Sequence, residues 1–81
     1  MEIEPRVREI LSTVGRVPEA ATAPADADLY DLGLSSHATV NVILGLEDAF
    51  DIEFPDEQMR REVFASVASI VETVGSLTED A

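Results

Sequence analysis

Three apolar stripes at helical spacing constrain this chain more than any other feature. A stripe returning every three to four residues lies along one face of a helix and cannot be buried by a strand, whose faces alternate residue by residue. In the first segment Ile3, Val7, Ile10, Leu11 and Val14 fall at offsets of 0, 4, 7, 8 and 11, with Glu2, Arg6, Arg8 and Glu9 on the opposite side. This spacing predicts a helix over 2–14. Gly15 is expected to take the left-handed position just past its end, and Arg16 with Pro18 closes off continuation. In the second segment Val40, Ile43, Leu46 and Phe50 fall at offsets of 0, 3, 6 and 10 and predict the core face of a helix over 36–50, with Phe50 buried. The third stripe is Val67, Ile70, Val71 and Val74, preceded by Ser66 as N-cap and followed by Gly75, beyond which residues 76–81 are expected to fray. Phe54-Pro55-Asp56 restarts the chain before a short helix over 57–62, with Pro55 at or near its first turn. The expected fold class is all-α: a small four-helix bundle of three main helices and one short helix.

A long connector, residues 16–34, separates the first two stripes. It holds two prolines, one glycine, several alanines and the acids Glu19, Asp26, Asp28 and Asp31. A structureless loop of that length is unusual in a small domain and is either functional or anchored. Leu29, Tyr30, Leu32 and Leu34 are the expected anchors, each large side chain worth about 1.5–3 kcal/mol when buried. With 81 residues the chain makes one domain, 1–81, with a radius of gyration of about 12 Å and no room for a deep catalytic cleft.

Seventeen acids face five arginines and no lysine, a net charge of −12. Such a surface is repelled by phosphate backbones and anionic lipid, so neither nucleic acid nor membrane is an expected partner. The apolar run 39–46 is too short to cross a bilayer and is broken by Asn41, and the acidic Glu2 and Glu4 are unlike a signal peptide, which places the chain in the cytosol. There is no cysteine, hence no disulfide, no thiolate metal site and no thiol nucleophile of its own; thiol chemistry has to be brought in. Asp26, Asp28 and Asp31 hint at calcium-loop spacing, but Asp31 stands where that loop needs glycine and His37 where it needs a bidentate glutamate. His37 has no second histidine or cysteine with which to hold zinc, and beside Ser36 it makes no catalytic triad. No metal site and no enzyme are expected.

Two strings remain: Asp31-Leu32-Gly33-Leu34-Ser35-Ser36-His37-Ala38-Thr39-Val40, then Leu46-Glu47-Asp48-Ala49-Phe50-Asp51-Ile52-Glu53-Phe54-Pro55-Asp56-Glu57. Together they resemble the acyl carrier protein family over almost the whole chain. The first is similar to the family's leucine-glycine-x-aspartate-serine-leucine motif, the second to its acidic helix ending in phenylalanine, followed by an acidic loop and proline-aspartate-glutamate. The resemblance implies that Ser36 receives 4′-phosphopantetheine from coenzyme A through a separate transferase, and that the arm's thiol holds cargo as a thioester. The chemistry suits the position, because an exposed hydroxyl at a helix N-terminus places the resulting phosphodiester against free N–H groups and the positive end of the helix dipole. Gly33 is expected to let the preceding turn approach closely, and Ser35 to cap the helix.

Two residues depart from the motif. Ser35 replaces the usual aspartate, keeping a cap but losing a charge, and His37 replaces the usual leucine with a polar, titratable ring. These departures suggest a specialised carrier with a dedicated loading enzyme; the resemblance extends to non-standard carriers that accept amino acids from stand-alone ligases, and the expected cargo stays open as an acyl or aminoacyl group. The implied partners are the phosphopantetheinyl transferase, a loading ligase or acyltransferase with a basic surface, and a downstream acyl or aminoacyl acceptor enzyme, all meeting a monomer. The expected docking surface combines His37 and Asn41 with the acids Glu47, Asp48, Asp51, Glu53, Asp56 and Glu57, beside the modified serine. The alternative is an acidic helical module that is never modified and only docks a basic partner.

Overall fold

The structure is a computed structural model that describes residues 3–79, and the helical start expected at Glu2 and the last two residues of the expected frayed tail lie outside that range. Among the described residues there are three α-helices, α1 (Ile3–Thr13), α2 (Ser36–Phe50) and α3 (Val67–Glu79), and no strand. The first apolar stripe folds as its spacing predicts, since Val7 and Leu11 are fully buried and Ile10 nearly so. Val14 departs from it: the helix has ended, and the side chain is 40% exposed. α1 packs against both α2 and α3, and the fully buried Leu46, Ile70 and Val74 complete the core between them. The radius of gyration is 11.2 Å, close to the size expected from length.

Gly15 serves a different purpose from the one expected. The left-handed turn falls on Arg16, with φ of 58°, while Gly15 is buried where a Cβ would sit 2.7 Å from the Leu11 carbonyl oxygen and 2.9 Å from Val42 Cγ2. The glycine permits the close crossing of α1's end and α2.

The long connector is anchored more widely than its leucines suggest. Leu29 and Leu34 are buried, Tyr30 and Leu32 half-buried, and Val17 and Ala20 are also fully buried through a 3₁₀ turn over Pro18–Ala21. Backbone bonds tie the connector to the segment entering α3: Leu29 N–H donates to Ala65 C=O at 2.7 Å, and Ala68 N–H to Ala25 C=O at 2.9 Å. Arg8 adds a side-chain strap, donating from one terminal nitrogen to the Ala20 and Ala23 carbonyls at 3.0 and 2.6 Å while Nε pairs with Glu4 at 3.0 Å. Its side chain is only 17% exposed, so removal strands two loop carbonyls away from full hydration. Charge-assisted bonds of this kind are worth roughly 1.5–3 kcal/mol. Arg8→Ala should therefore lower stability to urea unfolding by about 2–3 kcal/mol, whereas Glu4→Ala, breaking only a half-exposed pair, should cost under about 1 kcal/mol. Equal losses in the two variants would show that the strap adds nothing beyond the ion pair.

Between α2 and α3 the short helix expected over 57–62 is instead two 3₁₀ turns, Asp56–Gln58 and Arg61–Phe64, with Met59 and Arg60 between them. Phe64 is 1% exposed and packs at a tilt on Phe54, the ring centroids 5.5 Å apart. Burying Phe64 sets this segment's path more strongly than continuous helical bonding would. Ser66 caps α3 as expected, accepting from Ser69 N–H at 3.1 Å. α3 then runs through Gly75 to Glu79, so residues 76–79, expected to lie in a fraying tail, are helical.

Candidate functional site

α2 occupies the span that its cap signal and stripe predict, but buries a different face. Ala38, Val42, Leu46 and Phe50, spaced four apart, face the core. Val40, expected inside, is 57% exposed, and Leu44 58%, while Ile43 is half-buried. Apolar residues surround much of this helix, and the positions of α1 and α3 select the buried face. Ser36, Val40, Ile43 and Glu47 thus follow one ridge of α2, and His37, Asn41, Leu44 and Asp48 the next.

The two adjacent serines divide the work at the start of α2. Ser35 is the N-cap in extended conformation, its hydroxyl accepting from Ala38 N–H at 3.0 Å and its carbonyl from Thr39 N–H at 2.9 Å. Ser36 is the first helical residue, exposed beside the remaining helix-start amides and the positive end of the dipole. Gly33 takes φ of 117°, which an L side chain rarely adopts, and this turns the chain into the cap. Close approach is not its reason, since a Cβ there would meet nothing within 4 Å.

Ser36 borders a surface groove of about 210 Å³ whose other walls include Tyr30, Thr39, Ile43, Met59, Arg60, Arg61 and Phe64. Arg61 lies with its guanidinium carbon 3.8 Å from the centre of the Tyr30 ring, and the Tyr30 hydroxyl donates to the Arg61 carbonyl at 3.1 Å. Those contacts join the connector to the second 3₁₀ turn across the groove. Met59, Arg60 and Arg61 were not among the residues expected at the site. The signal that could have found them was charge: two of the five cations of a strongly acidic chain stand side by side.

The acids are arranged less simply than their sequence clustering implies. His37, Asn41, Asp48, Asp51, Glu53, Asp56 and Glu57 are exposed or partly so, but at 1.5 Å per residue Asp48 and Asp51 stand about 18 and 22 Å along the helix axis from Ser36. They lie at the far end of α2, not beside the serine. Glu47 is half-buried and holds the backbone together, its Oε2 accepting from Phe54 N–H at 2.9 Å and its carbonyl from the Asp51 and Ile52 N–H groups. This ties the end of α2 to the loop holding Phe54 and gives an acid at the unfavourable end of the dipole a partner. Asp51 closes the helix in left-handed conformation, φ 54° and ψ 51°. In the connector, Asp28 forms an Asx turn, with Oδ1 accepting from Tyr30 N–H at 2.9 Å.

A small helical domain with a long strapped connector, a capped second helix opening on an exposed serine and acids at that helix's far end has the architecture of a carrier protein. Comparison with known proteins agrees: the family model of the phosphopantetheine attachment site matches residues 5–74, and the chain belongs to that family. The residues fit the group, an exposed Ser36 hydroxyl at a helix start being open to esterification while Ser35 keeps the cap. The chain is 52% identical over 69 residues to the aminoacyl carrier protein of Agrobacterium fabrum, spanning 84% of this chain and 83% of that protein. Among solved structures it is similar to the carrier protein from Agrobacterium tumefaciens in a crystal structure with an engineered Bradyrhizobium japonicum glycine:carrier protein ligase and AMP, at 48% identity and a TM-score of 0.83 over 89% of this chain and 97% of that one. The corresponding ATP complex gives 46% identity and a TM-score of 0.86, covering 93% and 99% of the two chains. A solution structure from Agrobacterium tumefaciens gives 45% and 0.74, covering 94% and 93%. The protein is a phosphopantetheine-dependent carrier of acyl or aminoacyl groups.

Proposed function

We propose that Ser36 is the attachment residue and that the cargo is an amino acid, delivered by a stand-alone ligase and passed to a downstream acceptor enzyme. The observation that carries this reading is the division of the serine pair: Ser35 is held by the cap, and Ser36 stands exposed at the positive end of α2 in the matched segment. The relatives support the cargo, one being an aminoacyl carrier protein and another crystallised with a glycine:carrier protein ligase. The bound arm supplies the thiol on which cargo is held as a thioester. The chain's residues do the rest. Helix-start amides stabilise the phosphodiester charge, the Ser35 cap keeps that start rigid, and Gly33 sets its approach.

For docking, the exposed Val40 and Leu44 provide an apolar centre on α2 flanked by His37, Asn41 and Asp48, with Asp51, Glu53, Asp56 and Glu57 beyond. A partner presenting a small apolar patch within a basic rim complements this surface, and the charges chiefly govern encounter. The domain acts as a monomeric shuttle in the cytoplasm with no turnover of its own. Among the described residues no helix is long and apolar enough to cross a membrane.

Incubation with coenzyme A and a broad-specificity phosphopantetheinyl transferase should raise the intact mass by one phosphopantetheine, and Ser36→Ala should abolish the increase. Adding ATP, glycine and a glycine:carrier protein ligase should then add one glycyl group to the modified chain only. A chain left unmodified by several transferases would instead be the acidic interaction module, never charged with cargo.

A further inference from the structure

The five arginines are unevenly engaged. Arg6 pairs with Glu9 at 2.9 Å, and Arg8 holds Glu4 and two loop carbonyls. Arg16, Arg60 and Arg61 are exposed and make no ion pair among the described residues, although acids outnumber cations seventeen to five in the chain, and of these three Arg60 and Arg61 stand side by side. Both border the groove that Ser36 borders.

We propose that Arg60 and Arg61 clasp the phosphate of the arm attached at Ser36, so that the arm's first segment lies along the groove over Met59 and Ile43 instead of moving freely in solvent. This rests on Ser36 being the attachment residue. Three physical points converge. A guanidinium offers N–H donors in a planar fork that matches phosphate oxygens in pairs. Arg61 is already placed, because its guanidinium carbon lies 3.8 Å over the centre of the Tyr30 ring, a contact that uses none of its N–H donors, and less freedom is lost when a phosphate arrives. The phosphate is also tethered: a short covalent link makes the contact intramolecular, with an effective concentration in the millimolar range, so two exposed pairs suffice where free phosphate would bind poorly. Size limits the occupant, since about 210 Å³ is below the roughly 300–1,000 Å³ of pockets that enclose drug-sized ligands. The groove accepts the phosphate and the branched carbons next to it and leaves thiol and cargo outside for partners.

The test uses the intact chain labelled with ¹⁵N-arginine, as the modified protein and as unmodified Ser36→Ala. On modification the Nε–Hε signals of Arg60 and Arg61 should shift and their exchange with water slow several-fold, while those of Arg6, Arg8 and Arg16 stay in place. The ³¹P resonance of the arm should move toward that of the same phosphodiester in the urea-unfolded modified chain in Arg60→Gln/Arg61→Gln, and in about 1 M salt, where charges are screened beyond roughly 3 Å. Arg60→Lys/Arg61→Lys, keeping charge without the fork, should lie between. The arginine comparison requires no arginine variant and stands even if the double Gln chain folds poorly. Arginine signals unchanged by a verified modification overturn the clasp alone, whereas a chain that takes up no arm overturns the attachment reading and the clasp with it.

Discussion

Phe64→Ala should come close to unfolding this domain at physiological temperature. Phe64 is 1% exposed, closes the core beneath the second 3₁₀ turn and packs on Phe54 at 5.5 Å between centroids. Truncating a buried phenylalanine costs about 3–5 kcal/mol, against a total stability of roughly 5–15 kcal/mol for a domain. At about 4–8 °C per kcal/mol for a domain this small, the melting temperature should fall by roughly 15–30 °C. Phe50→Ala should approach the same loss, since its ring is 7% exposed at the end of the buried stripe of α2. Val40→Ala on the opposite side should stay within about 0.5 kcal/mol of the wild type. Thermal unfolding followed by circular dichroism measures all three, and a Phe64→Ala midpoint within a few degrees of the parent would refute the assigned core.

The second large effect concerns the rate of encounter with the loading enzyme. Net charge of −12 on a body measuring 31 × 24 × 19 Å, with the acids Asp48, Asp51 and Glu53 at the far end of α2, produces a field that steers basic partners. Changing Asp48 and Glu53 to Lys, with Asp51→Asn, should slow modification or loading by on the order of tenfold at low ionic strength, and the difference should shrink as salt screens the field. Asparagine is chosen at Asp51 because its backbone is left-handed, a conformation asparagine tolerates. Glu47 is excluded from the reversal, since lysine there would lose the bond to Phe54 N–H; Glu47→Gln keeps an acceptor and isolates the charge. Rates equal to wild type at low salt would show that the acids only keep the surface solvated.

These expectations also separate what is local from what is not. The span of α2, the Ser35 and Ser66 caps and the all-helical class were legible in the sequence, because a cap needs only a hydroxyl and an amide three residues on, and a 3.6-residue stripe is a property of one segment. The place of Ser36 at the start of α2 was legible for the same reason, while its reading as the attachment residue needed both strings of the resemblance. Which side of α2 is buried was not. Val40, Val42, Ile43, Leu44 and Leu46 offer apolar area in several directions, and the choice falls to α1 and α3, which cover Ala38, Val42, Leu46 and Phe50 and leave Val40 and Leu44 to solvent.

Gly75 shows the same override, because a mid-helix glycine costs about 1 kcal/mol, yet α3 continues past it with Leu77 partly buried against the core. The engagement of Arg8 with Ala20 and Ala23 and the contact of Arg61 with Tyr30, 31 residues away, depend on the route of the connector. The sequence by itself determined the three main helical segments, the Ser35 and Ser66 caps and the serine at the start of α2, since hydrogen bonds and periodicity close within a few residues. Only the tertiary structure decided which faces meet, which glutamate is bound to the backbone and which arginines border the Ser36 groove, because those outcomes depend on surfaces brought together from distant parts of the chain.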